Sequence, residues 1–490
     1  MRVIYVDVDS LRPDHLGCYG YHRATSPNLD ALARRSVTFD RYYCSDSPCL
    51  PSRAALTSGR FGIVNGVVGH FEEAGRFRLE PGHRADPDHP LLGQRLGEHG
   101  YYTASISMFA ERHRAYWFYG NFRETIRATD EINDEQAHQI NPRACEWLER
   151  HHDEDNWFLH INYWEPHTDY IQDPSWTATA ASLGPVGSWP DEATIAAHAD
   201  IYGPSSALDL RYSGFLGGLT PPPVPENMPQ AIRNRQDYEH LINGYDGTIL
   251  CWDHYFGELL AKLEELGIAE DTAIIVSADH GESMGESGQY SEHGLANEPT
   301  HHIPLVVYWP GVTDSLADND RRCDALLYNL DLAPTLCDML NVPIPNGWHG
   351  RSFAHALRGE GVESRDYLVL GHGAHSYQRA VRTRDHLYVR TYHPGAFKAE
   401  WEQLYDVTVD PCLTANLVDS QPELLDQMRA RLQEWWTHYA GRPGSLPDPM
   451  QTTLGRGPTY YNDPARYMQH LRDTGRSAQA EDLAQRLGHV

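Results

Sequence analysis

Three short apolar runs, each ending on acidic or imidazole side chains, constrain this chain more than any other feature. Val3 to Val8 leads into Asp9, Trp157 to Tyr163 into Glu165-Pro166-His167, and Thr272 to Ser277 into Asp279-His280-Gly281. Runs that are apolar throughout, rather than alternating, suit strands buried on both faces, as in parallel sheets. Segments of helical pattern lie between them: Asn28 to Ser36, with Ser26 as N-cap and Pro27 in the first turn, and Tyr238 to Leu266. Leu305 to Trp309, stopped by Pro310-Gly311, reads as a further strand. Alternating strands and helices predict an α/β fold with a large, mostly parallel central sheet. In such a sheet the strand ends line one edge, so Asp9, His167, Asp279 and His280 are expected to converge there. Carboxylates and imidazoles together are a reasonable divalent-metal site, although any one of them alone is more simply a helix cap. Asp7 and Asp9, two apart on a strand, face the same side. Asp7 near the end of an apolar run is costly to bury unpaired, so it is either a second metal ligand or the partner of an arginine.

Composition narrows the function. A formal charge of −28 excludes a duplex-nucleic-acid binder, because such a surface repels phosphates. An anionic substrate must therefore meet a local positive site. Lys262 and Lys398 are the only lysines, so nearly all positive charge resides on arginine, whose planar fork suits oxyanions. Eight cysteines, at 18, 44, 49, 145, 251, 323, 337 and 412, form no CxxC pair, which disfavours a zinc knuckle or a disulfide scaffold and leaves room for one reactive cysteine. Met1-Arg2-Val3 runs directly into the first strand without a secretory leader, and no apolar run reaches about 18 residues, so the expectation is a soluble, cytoplasmic protein with no membrane partner.

Residues 1–375 read as the catalytic domain, with an insertion at about 170–235 that is rich in Gly, Pro, Ser and Ala and includes Pro221-Pro222-Pro223. Residues 376–490 read as a smaller C-terminal α+β domain with short strands such as His386 to Arg390, a helix from Pro422 to Tyr439, and a polar tail with a helix at about Ala478 to Leu487.

The segment Cys49-Leu50-Pro51-Ser52-Arg53-Ala54-Ala55-Leu56-Thr57-Ser58-Gly59-Arg60, of the form Cys-x-Pro-Ser-Arg-x-x-Leu-Thr-x-Gly-Arg, resembles the signature of the formylglycine-dependent sulfatases. Further matches follow in order: Leu16-Gly17-Cys18-Tyr19-Gly20, Ser26-Pro27-Asn28-Leu29-Asp30, Pro166-His167, Asp279-His280-Gly281-Glu282, Ile303-Pro304-Leu305, Asp331-Leu332-Ala333-Pro334-Thr335-Leu336 and Leu404-Tyr405-Asp406-Val407. The resemblance implies an alkaline-phosphatase-like sandwich with a smaller C-terminal sheet domain. It also implies a sulfuric ester hydrolase acting on a small sulfate monoester. Cys49 would be oxidised to formylglycine by a formylglycine-generating enzyme. Asp9, residue 49, Asp279 and His280 would hold the metal, calcium before manganese or magnesium, and His167 would donate to the sulfate or leaving-group oxygen. Arg53, one helical turn from Cys49, would hold the hydrated aldehyde.

Three departures from the family pattern shape the remaining expectations. Ser10 replaces the usual second acidic residue after Asp9, leaving Asp7 or water to complete the metal's shell. The usual Gly-Lys-Trp-His segment is absent, and Phe109-Ala110-Glu111-Arg112-His113-Arg114 offers His113 as the eliminating base. The usual sulfate-contacting lysine aligns near His293, which can replace it only while protonated. Ser10 and His280 also leave open a phosphonate monoester or phosphodiester substrate. Two other readings differ in class: a serine esterase at Ser283, within Gly281-Glu282-Ser283-Met284-Gly285, and a non-catalytic binder that keeps Cys49 as a thiol and binds no metal.

Overall fold

The computed structural model describes residues 1–71, 73–78, 89–129, 135–212, 225–458 and 461–488. Pro221-Pro222-Pro223 lies outside the described residues. An eight-stranded sheet runs in the order Arg322–Cys323, Val37–Phe39, Leu305–Tyr308, Thr272–Ala278, Arg2–Val8, Trp157–Tyr163, Tyr102–Ile106, Glu124–Ile126. Arg2–Val8 lies at its centre, parallel to both neighbours, with Asp7 level with Asn162 on one side and Ser277 on the other. Val3 through Val8 are all buried, as expected for a strand covered on both faces. Leu305–Tyr308 is the exception to the parallel pattern and runs antiparallel to Thr272–Ala278.

The helical expectations hold with altered ends. The long helix is Arg235–Glu265, begun by the Asn234 side chain accepting from the Asp237 amide. The first helix is Pro27–Ala33, and Ser26 does not cap it; Ser26 Oγ instead accepts from Gly17 and donates to Asp30. The capping carboxylate comes from the long helix, where Asp253 accepts from the amides of Asn28 and Leu29, each at 2.9 Å. A helix start can thus be satisfied from far away in sequence, which local pattern cannot reveal.

A second sheet of five strands runs Glu402–Asp406, His386–His393, Tyr377–Arg382, Leu368–His372, Asp46–Ser47. Its last strand belongs to the segment that leads into Cys49, so the two sheets share the approach to the site. Pro422–Tyr439 packs on this second sheet, and the segment around 170–235 carries two helices, Pro174–Ser182 and Glu192–His198. The tail helices Pro464–Asp473 and Ser477–Leu487 are held by Asp209, which accepts from Tyr467, His470 and Arg476. Among the described residues, no helix is long and apolar enough to cross a membrane.

The loop after Asp9 is tied to the long helix by Asp246, whose carboxylate meets His15 Nδ1 at 2.7 Å, Arg23 Nη1 at 2.5 Å and Tyr21 Oη at 2.8 Å. Arg23 and Asp246 are both fully buried. Removing one partner of such a pair leaves an uncompensated charge, so Asp246→Ala should cost about 3–5 kcal/mol of stability. Thermal unfolding of the variant checks this; a midpoint unchanged from the parent would show that the tie is not needed.

Candidate active site

The helix Cys49–Ser58 is buried along its whole length, which explains why so many of its positions are specified. Ser52 Oγ donates to the Asp279 carbonyl at 2.6 Å and accepts from Asn329 Nδ2 at 3.0 Å, locking the helix to the strand end at Asp279. Gly59 ends the helix with φ of 62°, and a Cβ there would lie 2.6 Å from the Trp348 ring, so no other residue fits without displacing that ring. Its carbonyl accepts from the His349 amide at 2.7 Å.

Arg53 projects from this helix into three carboxylates. Nε donates to Asp7 at 2.6 Å, Nη1 to Asp279 at 2.6 Å, and Nη2 to Asp9 at 3.1 Å. The guanidinium expected to face substrate is therefore engaged with the strand ends. Asp7 also meets His160 Nε2 at 3.2 Å and stands on the arginine side, apart from the group described next.

Ligand-capable atoms of Asp9, Cys49, Asp279 and His280 lie within 4.8 Å of one another. Cys49 Sγ is 3.1 Å from His280 Nε2. His280 Nδ1 meets the Gly281 carbonyl at 2.9 Å, which places its proton there and leaves the Nε2 lone pair facing the cluster. Ser10, with φ of 62°, turns its amide onto Asp279 Oδ1 at 3.2 Å rather than supplying a carboxylate. Three carboxylates crowd one guanidinium here, and their mutual repulsion, with an imidazole lone pair aimed at the same space, fits a divalent cation.

Electrostatics follow from that crowding. Burial acts to raise the Asp9 pKa, but Arg53, His167, His280 and Arg112 outweigh it and hold the carboxyl below the usual range. Burial pushes Asp279 well above the carboxylate range, and the charges of Asp9 and Asp7 add to this despite Arg53. Burial, then Asp9 and Asp279, push the Cys49 thiol well above its ordinary value. As a thiol, residue 49 is neutral at physiological pH and a poor nucleophile.

Four more imidazoles ring the cluster. The His293 ring centroid is 4.2 Å from that of His280, and the His167 ring is 5.1 Å from His293. His167 stacks on Trp164 at 3.9 Å, and Arg112 lies over the same indole at 3.8 Å. Burial acts to lower the His293 pKa, yet Glu292 and Glu282 hold it above the ordinary value. His113 has neither ring nitrogen hydrogen-bonded, and burial with the adjacent Arg112 and Arg53 charges pushes it well below the ordinary value. Its ring packs 4.6 Å from His70, which accepts from the Leu50 amide and contacts Tyr461.

Arg112, His70 and His375 were not singled out as site residues from sequence. Arg112 Nη1 lies 3.7 Å from Asp9 Oδ2 with no hydrogen-bond partner, and its neighbour Nη2 pairs with Glu135. Arg112 adjoins His113 in a segment already noted, which is the one signal that could have marked it; His70 and His375 carry no motif. Ser283 sits in the short strand Ser283–Met284 with Asn297 donating to its hydroxyl at 3.0 Å. It is therefore not at a strand-to-helix elbow.

An α/β fold with an acidic and imidazole cluster beyond its strand ends places its candidate site where open α/β sheets bind their ligands. A profile of the Sulfatase family matches residues 2–342, and one described as N-sulphoglucosamine sulphohydrolase, C-terminal, matches residues 285–438. The chain belongs to the sulfatase family and is a sulfuric ester hydrolase. It is 23% identical to N-acetylglucosamine-6-O-sulfatase of Bacteroides thetaiotaomicron over 93% of this chain and 89% of that protein. In fold it is similar to a protein solved with its substrate D-glucosamine-2-N,6-O-disulfate, with a TM-score of 0.68 and 19% identity over 89% of this chain and 97% of the other. It is likewise similar in fold to a phosphonate monoester hydrolase of Agrobacterium radiobacter, with a TM-score of 0.66 and 19% identity over 88% of this chain and 95% of the other.

Because Arg53 alone faces Asp7, Asp9 and Asp279, Arg53→Lys should not restore the fork: one ammonium cannot meet three carboxylates in these directions. The variant should lose about 3–5 kcal/mol of stability, as for other broken buried pairs. Denaturant unfolding of the purified variant gives the value, and parent-like stability would mean that the carboxylates are not charged together.

Proposed function

We propose that residue 49 works as formylglycine and that the protein cleaves a sulfate monoester by attack at sulfur. The observation that carries this reading is Cys49 Sγ held 3.1 Å from His280 Nε2 inside the group with Asp9 and Asp279. A buried neutral thiol is poorly suited to attack, and an adduct on its sulfur would have no easy internal exit. As a hydrated aldehyde, residue 49 supplies an oxygen nucleophile for sulfur and, by loss of a proton from its other hydroxyl, an internal route for releasing sulfate. The conversion requires a formylglycine-generating enzyme.

Asp9, Asp279 and His280, with residue 49, are the group that would hold the metal. When bound, the cation offsets substrate charge and makes proton loss from a neighbouring hydroxyl easier. Two carboxylates favour calcium, and the imidazole moves the balance toward manganese or magnesium. Arg53 keeps the carboxylates fixed from behind, and Asp7 serves that arginine rather than the metal. His113, neutral and without hydrogen bonds, can take a proton as the eliminating base. His167 Nδ1 is occupied by the Thr168 carbonyl, so donation to the leaving-group oxygen needs a further proton on Nε2, which an anionic substrate favours. Arg112, with an unpartnered Nη1 near Asp9, and His293 supply positive charge for the sulfate.

A second reading uses the same groups on a phosphonate monoester or phosphodiester. It is favoured by the single leading Asp9 followed by Ser10, by the Asp279-His280 pair, and by the fold likeness to the Agrobacterium hydrolase. Parallel assays on aryl sulfate and aryl phosphonate esters separate the two.

Cys49→Ala should abolish turnover while leaving folding almost intact, and the mass of the native Cys49 peptide should be that of the aldehyde or its hydrate. A thiol mass together with an active Cys49→Ala protein would sink the proposal. His293 makes a sharper test. Its raised pKa means that it is charged at low pH and loses its charge as pH rises through that pKa, so kcat/KM should fall on the alkaline side. His293→Lys should carry activity to higher pH; superimposable alkaline limbs would remove His293 from the site.

A further inference from the structure

Beyond the group around Cys49, a second constellation is built from Glu292, His293 and His375. Their ligand-capable atoms also lie within 4.8 Å of one another. His293 Nε2 and His375 Nδ1 each stand 3.8 Å from the same oxygen, Glu292 Oε1. That is too long for hydrogen bonds and close to the spacing of donors around one ion, since metal–nitrogen bonds of about 2.0–2.1 Å put tetrahedral neighbours about 3.4 Å apart.

The surroundings favour a ligand role over a packed core. His293 and His375 are only 5% and 7% exposed, and His375 Nδ1 has no hydrogen-bond partner. A buried imidazole nitrogen without a partner is costly, and it points at the carboxylate oxygen that a cation would share. On the far side of the His293 ring, Nδ1 faces Glu282 Oε1 at 3.7 Å, so a second carboxylate stands on the side away from Glu292. The His375 ring is held flat against Tyr461 at 4.7 Å. Glu292 keeps its position through the His293 amide at 2.9 Å and the Ser205 hydroxyl at 3.3 Å. Two nitrogens and one carboxylate suit zinc; calcium prefers oxygen donors throughout.

We infer that Glu292, His293 and His375 form a second cation site that takes zinc, distinct from the group of Asp9, Cys49, Asp279 and His280. His293 stands between the two, since it also groups with Cys49 and His280. A zinc ion that claims its lone pair withdraws it from substrate, so the outer site is inhibitory.

The test starts from metal-stripped full-length protein, dialysed against zinc and analysed for bound metal by mass spectrometry. The parent should hold one zinc ion per chain more than His375→Ala and the near-isosteric Glu292→Gln. Asp279→Ala, which damages the other group, should keep the ion that those two variants lose. Circular dichroism confirms that each variant is folded. A parent that binds no zinc, or a parent count retained by both His375→Ala and Glu292→Gln, overturns the proposal. Loss of all zinc in folded Asp279→Ala does so as well. In turnover assays with calcium present, added zinc should slow the parent and spare His375→Ala. This arm rests on the substrate role proposed for His293, whereas the zinc count does not, so failure of that role and failure of the site give different results.

Discussion

Everything around Cys49 depends on one buried cation, the Arg53 guanidinium, meeting three carboxylates at once. Asp7 and Asp9 come from the central strand and Asp279 from its neighbour, while Arg53 comes from the helix that begins at Cys49. Each charge alone would be expensive to bury. Together they fix the helix against the strand ends in one register, because a planar fork meets three oxygens only from one direction. The position of residue 49 relative to Asp9, Asp279 and His280 follows from that docking.

The same arrangement leaves the site short of positive charge. Neither lysine is near it: Lys262 pairs with Glu149 and Glu265, and Lys398 reaches the Asp200 carbonyl. In the proposed function, compensation for an anionic substrate falls to the cation proposed for the cluster, to Arg112 and to imidazoles. Their neighbours tune them in opposite directions. His113 is held neutral by burial and two arginines, whereas His293 is held toward its charged form by Glu292 and Glu282. In the proposed function these opposite shifts match different work, one histidine accepting a proton and one presenting a charge.

The second sheet is part of this machinery. Asp46–Ser47 pairs with Leu368–His372, and Ser47 Oγ lies 3.1 Å from His301 Nε2 and 2.9 Å from His372 Nδ1. The chain thus enters the Cys49 helix already anchored to the second sheet and to His301. His375, which completes the proposed outer cation site, follows the strand Leu368–His372 by three residues. The segment from Leu368 to His375 reaches the pocket through this anchor.

Much of the plan was legible in the residues themselves. Apolar runs ending in Asp9, His167 and Asp279-His280 announce parallel strands that deliver polar groups to one edge, because period and strand-end chemistry are local properties. The Cys49 to Arg60 signature is legible for the same reason: a wholly buried helix constrains every position on it. For Asp7, read from sequence as either a ligand or the partner of an arginine, only the tertiary structure brings the Arg53 Nε donor to its carboxylate. Arg112, His70 and His375 carry no pattern, and Asp253 caps a helix more than two hundred residues away. Which imidazoles face the pocket, and whether each is pushed toward or away from its proton, depends on burial and on charges brought close by folding. Sequence spacing contains neither.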